Sequence, residues 1–225
     1  MATAPPPLKV LYHAHPDLDT LDLVGPLEIL SHAVYSNTTP RAKVFANTIT
    51  AVSEFTTTGQ MLTFKRDIPI SEAYAKLTDF DVLVIPGGGS PGVLEGKTEP
   101  LDLIKAFVDL PKKADGSLRT LMSVCTGSLF LAEAGVLDGQ TATTHPGYYD
   151  KIKELAKSKG TTTVVEDRFV VNKTDQEKGL RIITAGGVNS GIDAGIWLVN
   201  DVAGKESMDG VLFVVQHAHR GGLVL

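Results

Sequence analysis

The sequence predicts a single-domain α/β protein, in which helices cover both faces of an open, mostly parallel β-sheet. Continuous apolar runs at Leu8–Ala14, Asp81–Pro86 and Leu118–Val124 are typical of strands buried on both faces of a parallel sheet. Helical patterns separate these runs, as expected where crossover helices join parallel strands. The 225 residues suffice for one large core. With no internal repeat or linker, we expect one domain over residues 8–225 after a flexible arm at residues 1–7.

The first half of the chain supplies the next elements in order. Pro26 marks the first turn of a helix at Pro26–Val34, because its missing N–H costs nothing at that position. The pattern then indicates short strands at Lys43–Asn47 and Thr50–Glu54 and a short helix at Ser71–Leu77. The run that follows, with sequence DVLVIP, is the clearest central strand because it is apolar almost throughout.

The second half of the chain continues the alternation. An amphipathic helix precedes the third apolar run, a helix ending at Gly135 follows it, and a more exposed helix comes next. Two strands then flank the polar loop 172–179 as a hairpin, and two helices close the domain. These elements predict a flavodoxin-like three-layer sandwich. The predicted helices of this half are Leu101–Leu110, Gly127–Ala134, Tyr148–Lys159, Gly191–Val202 and Ser207–His217, and the two predicted strands are Val164–Val171 and Leu180–Thr184.

Charge and composition argue against several classes of function. The chain has 21 basic and 26 acidic residues, a formal charge of −5 and no basic block of the kind a nucleic-acid surface requires. No stretch approaches the ~20 apolar residues of a membrane span, and residues 1–7 lack the features of a secretory signal. A single cysteine excludes an internal disulfide and fits a reducing compartment. We expect a cytoplasmic protein that acts on a small molecule, with no nucleic-acid or membrane partner.

Cys125, the only cysteine, is the strongest candidate for a catalytic residue. It lies between a buried strand and a helix, followed by Thr126 and Gly127, which is the sequence pattern of a nucleophile elbow. At a helix N-terminus the dipole and unpaired N–H groups favour thiolate, so we expect a pKa below the ~8.5 of a free thiol. The alternative for a lone cysteine in an apolar run is an ordinary core residue.

A glycine-rich loop, Gly87, Gly88 and Gly89, follows the central strand. The C-terminal ends of neighbouring strands in an open sheet are where ligands bind. Consecutive glycines allow backbone N–H groups to approach a reacting atom, so we predict an oxyanion or substrate-binding loop. A phosphate-binding loop of the P-loop type would need the Gly-Lys-Ser/Thr ending, which is missing here. A flexible turn is the remaining alternative.

Asp22 is the candidate acid–base residue, because leucines flank it and partial burial raises the pKa of a carboxyl. A helix-capping aspartate is the alternative. Glu28 is a possible pocket residue, although a position in the first helical turn would explain an acidic side chain through the dipole alone.

The histidines offer weaker candidates. His145 follows a short strand and could approach the nucleophile. His13 and His15 are two residues apart at the end of the first strand, so they share a face, and His15 could reach the pocket. His217 and His219 resemble a metal pair only faintly. Since no set of three or four ligands at zinc spacing occurs, we predict no metal site.

With these residues in place, the chain resembles the ThiJ/PfpI superfamily, and within it the isonitrile (isocyanide) hydratase branch. The resemblance extends from Leu8 to about Val202. It is most specific over SVCTGSLFLAEAGVLDG, which is Ser123–Gly139, followed by ATTH at Ala142–His145. Three shorter segments also match, namely LDLVGP at Leu21–Pro26, IPGG at Ile85–Gly88 and TAGGVNSGID at Thr184–Asp193.

The resemblance implies a class I glutamine amidotransferase-like fold, a homodimer and no cofactor. It further implies that Cys125 attacks the isocyanide carbon, that Asp22 transfers protons and that Thr126 contributes to the site. Family proteases carry histidine where Thr126 stands, so peptidase activity is disfavoured. The chain departs from the branch at His13 and His15, which are commonly apolar in relatives. It also departs at Pro146, where tryptophan is frequent, and in the inserted loop 172–179.

Two other functions remain open at this point. Glyoxalase- or deglycase-like enzymes act on small α-oxoaldehydes with the same kind of residues, although they usually place a glutamate where this chain has Asp22. A non-enzymatic alternative is a redox sensor, in which Cys125 is oxidised to a sulfinate beside a carboxyl group.

Overall fold

The computed structural model describes residues 5–36, 38 and 41–225, so residues 1–4 of the predicted arm lie outside the described residues. The strands are β1 (Leu8–His13), β2 (Phe45–Ala51), β3 (Phe55–Thr57), β4 (Thr63–Lys65), β5 (Ile68–Pro69), β6 (Val82–Ile85), β7 (Arg119–Val124), β8 (Thr141–Ala142), β9 (Thr163–Val164), β10 (Phe169–Val171), β11 (Leu180–Ala185) and β12 (Leu223–Val224). The helices are α1 (Thr20–His32), α2 (Ile70–Ala75), α3 (Ser90–Gly96), α4 (Leu101–Val108), α5 (Gly127–Glu133), α6 (Tyr149–Lys157) and α7 (Ser190–Val215).

The main sheet confirms the predicted open, mostly parallel architecture. Its eight strands follow the order β12-β10-β11-β7-β6-β1-β2-β5. All neighbours run parallel except β10 and β11, which form the predicted hairpin around the loop 172–179. Strands β3 and β4 form a separate antiparallel pair, and β8 and β9 a parallel one. Because β1, β6, β7 and β11 are adjacent and parallel, the loops that follow them meet at one edge of the sheet.

Two hydrophobic cores cover the two faces of the sheet. Side chains alternate along a strand, so Val10 and Tyr12 of β1 join the core beneath α1 and α7, while Leu11 joins the other core. That second core contains apolar side chains of α2 to α6. Helices therefore lie on both faces, as the sequence predicts. No helix in the described residues is both long and apolar enough to cross a membrane.

Helix α1 corrects one prediction. It begins at Thr20, six residues before the predicted start, and its N-cap is Asp19, whose carboxylate accepts a hydrogen bond from the Leu21 N–H at 3.1 Å. Pro26 lies inside the helix instead of in its first turn. A proline is a helix-start signal only where no stronger cap precedes it, and the aspartate cap decides the boundary here.

Several shorter elements also differ from the prediction. The two strands predicted at Lys43–Asn47 and Thr50–Glu54 are the single strand β2, whereas the strand predicted at Val164–Val171 is divided into β9 and β10. The β3–β4 hairpin, helix α3 and strand β12 have no counterpart among the predicted elements. The two predicted closing helices are both present, since the segment labelled α7 is two helices separated at Gly204, where φ is 80° and ψ is 172°.

Close packing of α7 against β7 depends on Gly191. A Cβ there would lie 2.8 Å from both γ carbons of Val124, the residue before Cys125. We therefore predict that Gly191→Ala lowers the free energy of unfolding by about 1–3 kcal/mol through overpacking. Gly210→Ala, an exposed position of the same helix with nothing within 4 Å of the added Cβ, should raise it by up to about 1 kcal/mol. Urea denaturation measures both, and stabilisation by both variants would contradict this packing.

Candidate active site

Cys125 lies on a sharp turn between β7 and α5, the predicted nucleophile elbow. Its backbone has a φ of 56°, in the left-handed region that non-glycine residues rarely adopt. Backbone and hydroxyl partners hold this conformation. The Cys125 N–H donates to the carbonyls of Ala185 and Gly186 at 3.0 and 2.8 Å, and its own carbonyl accepts from the hydroxyls of Ser128 and Thr144 at 3.1 and 3.0 Å. Such strain costs about 1–3 kcal/mol and is typical of functional positions.

Asp22 lies in the first turn of α1 and is completely buried. Its Oδ2 accepts a hydrogen bond from the Gly87 N–H at 3.1 Å, whereas its Oδ1 has no hydrogen-bond partner among the described residues. Burial raises the pKa of this carboxyl to about 7, and the negative charge of Asp19 adds to the rise. The Gly87 N–H and the Cys125 thiol act in the opposite direction. Asp22 is therefore poised to exchange a proton near neutral pH.

The thiol corrects the expectation of a lowered pKa. Burial raises the pKa of Cys125 to about 12, and the Asp22 carboxylate adds to the rise. The Thr126 N–H lowers the pKa, as a helix N-terminus should, but it does not outweigh burial and a neighbouring negative charge. Since each group shifts the other, thiol and carboxyl titrate as a pair. Between about pH 7 and about pH 12 the pair holds one proton and one negative charge.

The glycine loop reaches the site, but the backbone N–H groups of Gly87 and Gly88 already donate to side chains. The Gly87 N–H donates to Asp22, and the Gly88 N–H donates to the Thr126 hydroxyl at 2.9 Å. These donors are not free to meet an oxyanion, so we assign Gly87 and Gly88 the positioning of Asp22 and Thr126. Gly89 has a φ of 50° and precedes α3 as its N-cap. An oxyanion role for Gly89 and for the Thr126 backbone stays a prediction.

Two candidates from the sequence have hydrogen-bond partners other than Cys125. His145 accepts a hydrogen bond from the Gly147 N–H at 3.1 Å and packs against Tyr148, and it has no hydrogen bond to Cys125 among the described residues. Its neighbour Thr144 donates to the Cys125 carbonyl instead. Glu28 lies in the third turn of α1, not the first, and pairs with His32 at 2.9 Å on the surface. Its predicted place in the first helical turn is wrong because α1 begins earlier than expected, and its role in a pocket stays a prediction.

His13 and His15 are both buried beneath the glycine loop. Their rings stack with centroids 6.3 Å apart, and the His15 ring meets Phe130 edge-on at 5.3 Å. His15 places Nδ1 3.1 Å from the Pro16 carbonyl and Nε2 3.2 Å from the Pro86 carbonyl. Neither ring nitrogen of His13 has a hydrogen-bond partner among the described residues. Burial lowers the pKa of both rings.

A buried carboxylate near the start of α7 explains the C-terminal histidines. Asp193 Oδ1 accepts from His217, His219 and the Arg220 N–H at 2.8, 3.2 and 2.9 Å, and Oδ2 accepts from Arg168 at 2.6 Å. Within the described ranges no group of His, Cys, Asp and Glu side chains is arranged to hold a metal. Sequence spacing could not reveal this cluster because Asp193 lies more than 20 residues from each of these partners.

We predict that the alkylation rate of Cys125 by iodoacetamide rises first near pH 7, where the Asp22–Cys125 pair loses its first proton. Asp22→Asn removes that step. In this variant the Cys125 thiol should ionise at a lower pH than in the wild type, where its pKa is about 12, because the neighbouring negative charge is gone. Asp19→Asn, which preserves the helix cap, should keep the first step but move it to lower pH, because the negative charge of Asp19 raises the pKa of Asp22. Thiolate absorbance measured against pH checks both variants. A first step that survives in Asp22→Asn would show that the two groups are not coupled.

Comparisons with known proteins show the family of this chain. The DJ-1/PfpI family model matches residues 8–199. An isonitrile hydratase of Pseudomonas putida is 28% identical over 214 residues, which cover 94% of this chain and 79% of that protein. A deglycase of Pyrococcus horikoshii is 29% identical over 146 residues, covering 64% of this chain and 75% of that protein.

The solved structures give the same fold. A ThiJ/PfpI family protein from Pseudomonas syringae superposes with a TM-score of 0.71 at 22% identity, covering 96% of this chain and 77% of that one. The family match spans β1 to the first part of α7 and so contains Asp22, the glycine loop and the elbow. This chain therefore belongs to the DJ-1/PfpI family.

Proposed function

We propose that this protein hydrates isocyanides to N-substituted formamides, with Cys125 as the nucleophile and Asp22 as the acid–base group. One observation carries the proposal. A fully buried carboxyl with a pKa near 7 is coupled to a buried thiol on a strained elbow. At neutral pH such a carboxyl can both hold and release a proton, as a general acid and base must. The similarity to an isonitrile hydratase over most of the chain supports this substrate class.

The reaction follows from the shared proton of the pair. Sulfur bonds to the terminal carbon of the isocyanide while Asp22 delivers a proton to that carbon, giving a thioimidate. Water then attacks the same carbon and gives a proton to Asp22. Asp22 passes that proton to the nitrogen, the C–S bond breaks, and the remaining hydroxyl proton returns to the pair, so that the N-substituted formamide leaves with the pair restored. The sum is one isocyanide plus one water, so the scheme requires no cofactor.

Positions around the pair support the two steps. The Thr126 N–H faces the sulfur and stabilises negative charge there. The Gly87 N–H holds one carboxyl oxygen, whereas Oδ1 has no hydrogen-bond partner within the described part of the chain and is available for proton transfer. In this burial the thiolate forms only when its proton is transferred to Asp22, so addition and protonation are linked through one group.

An α-oxoaldehyde substrate is the second candidate, favoured by the similarity to a deglycase over 64% of the chain. A thiol and a nearby carboxyl would also serve addition to an aldehyde carbon. Asp22 is one methylene shorter than the glutamate usual in those enzymes, so the carboxyl would have to act from a different distance. A substrate panel of an isocyanide and methylglyoxal separates the two.

We predict that Cys125→Ala abolishes isocyanide hydration and that Asp22→Asn lowers kcat by about 10²–10⁴-fold, because the amide cannot exchange a proton. Glu28→Gln, which removes an exposed carboxyl from the same helix, should keep the wild-type rate. Formamide production followed by mass spectrometry measures all three. Full activity of Asp22→Asn would refute the acid–base role. If the protein turns over methylglyoxal but not the isocyanide, the substrate is an α-oxoaldehyde. If it turns over neither compound and Cys125 is readily oxidised to a sulfinate, the redox-sensor function is favoured.

We also propose that the protein works as a homodimer in the cytoplasm, as the resemblance and the single cysteine lead us to expect. Phe213 and Val214 near the end of α7 are 78% and 54% exposed, and large apolar side chains at such exposure favour association. Sedimentation at micromolar concentration should give about twice the 23.9 kDa chain mass. A single monomeric species at that concentration would contradict the proposal.

A further inference from the structure

One peptide group joins His15 to Asp22. The Pro86 carbonyl lies 3.2 Å from His15 Nε2, and the N–H of the same peptide, contributed by Gly87, donates to Asp22 Oδ2 at 3.1 Å. The Pro86–Gly87 bond is trans, so its C=O and N–H point in opposite directions from one rigid plane. The ring and the carboxylate therefore occupy the two ends of a single hydrogen-bonded chain.

The surroundings of the ring decide which nitrogen carries the proton. A neutral imidazole donates from only one nitrogen, yet both nitrogens of His15 face carbonyl oxygens. Pro86 is buried, and its carbonyl has no other donor among the described residues, whereas the contact with the Pro16 carbonyl is only part-buried. Leaving the buried acceptor without a donor costs more free energy, so the proton belongs on Nε2.

We propose that His15 is a positioning residue for the acid–base group: its Nε2–H fixes the Pro86–Gly87 peptide so that the Gly87 N–H points at Asp22, and it polarises that N–H. Polarisation through a chain of hydrogen bonds strengthens each bond, most of all in a buried site. A stronger donor stabilises the carboxylate relative to the carboxylic acid. His15 thus controls the pH at which the Asp22–Cys125 pair loses its first proton. The inference rests on the proposed role of Asp22 and deepens it.

Charged groups on the neighbouring elements act on the same two residues. On the His15 side these are His13 of β1 and Asp17 of the following loop. On the Asp22 side they are Asp19 at the helix cap and Cys125 at the elbow. None of these lies on the peptide that joins the two residues, so removing the His15 ring tests the connection without removing a charge from the pair.

The test compares three variants by the pH dependence of Cys125 alkylation with iodoacetamide. His15→Leu removes the donor to Pro86, so the first step should move upward from about pH 7 by at least about half a pH unit. His15→Gln keeps an amide N–H that reaches the same carbonyl and should restore the wild-type profile. His13→Leu, the matched control, removes the stacked ring that has no hydrogen bond and should leave the step in place.

Two results would overturn the proposal. One is a first step in His15→Leu that coincides with the wild type. The other is an equal shift in His13→Leu, which would indicate general packing. If His15→Leu fails to fold, ¹⁵N NMR of the wild-type histidines decides instead, since a proton on Nδ1 of His15 breaks the chain and a proton on Nε2 supports it. The readout requires no substrate, so a failure to hydrate isocyanide leaves this outcome unaffected.

Discussion

The active site depends on the absence of a side chain at position 87. A Cβ there would lie 2.6 Å from the Thr126 nitrogen and 2.9 Å from Asp22 Oδ2. These distances are shorter than any ordinary contact, so only glycine lets the β6–α3 loop, the start of α1 and the elbow meet at one point. The same backbone approach supplies the Gly87 and Gly88 N–H groups that hold the acid–base residue and Thr126. The close approach of the Gly87 main chain therefore determines both where Asp22 and Thr126 lie and which hydrogen bonds they accept.

This arrangement lowers the stability of the folded protein at neutral pH. Asp22 has a folded-state pKa of about 7, above its unfolded value, so its contribution is fully favourable below about pH 4 and is lost as pH rises through 7. Each unit of difference corresponds to about 1.4 kcal/mol, which makes the loss a few kcal/mol. The left-handed backbone of Cys125 adds to the cost. The apolar cores on both faces of the sheet offset this loss of stability. They allow the fold to keep the Asp22 Oδ1 oxygen, which has no hydrogen-bond partner among the described residues, buried in the site.

The features that could be predicted from sequence are those that local patterns determine. Apolar runs located β1, β6 and β7, and the strand–Cys–Thr–Gly pattern located the elbow, because both depend on neighbouring residues. The direction of the Cys125 pKa shift could not be predicted, since it depends first on burial in the folded site and then on Asp22, more than 100 residues away along the chain. For the same reason, the His15 contact with Pro86 and the hydrogen bonds of Asp193 could not be predicted from the sequence. Glu28 was misplaced by one local error, the reading of Pro26 as the start of α1.

Asp19 shows how position and electrostatics are combined at the start of α1. Its side chain caps the helix, which fixes the first turn and therefore the direction of Asp22. Its backbone N–H donates to the Gly87 carbonyl at 2.9 Å, while the Gly87 N–H returns to Asp22, so helix and loop are clamped by reciprocal bonds. Its negative charge then raises the pKa of Asp22. A neutral cap would hold the helix equally well but would leave Asp22 more acidic, so the identity of the cap contributes to a carboxyl that can exchange a proton near pH 7.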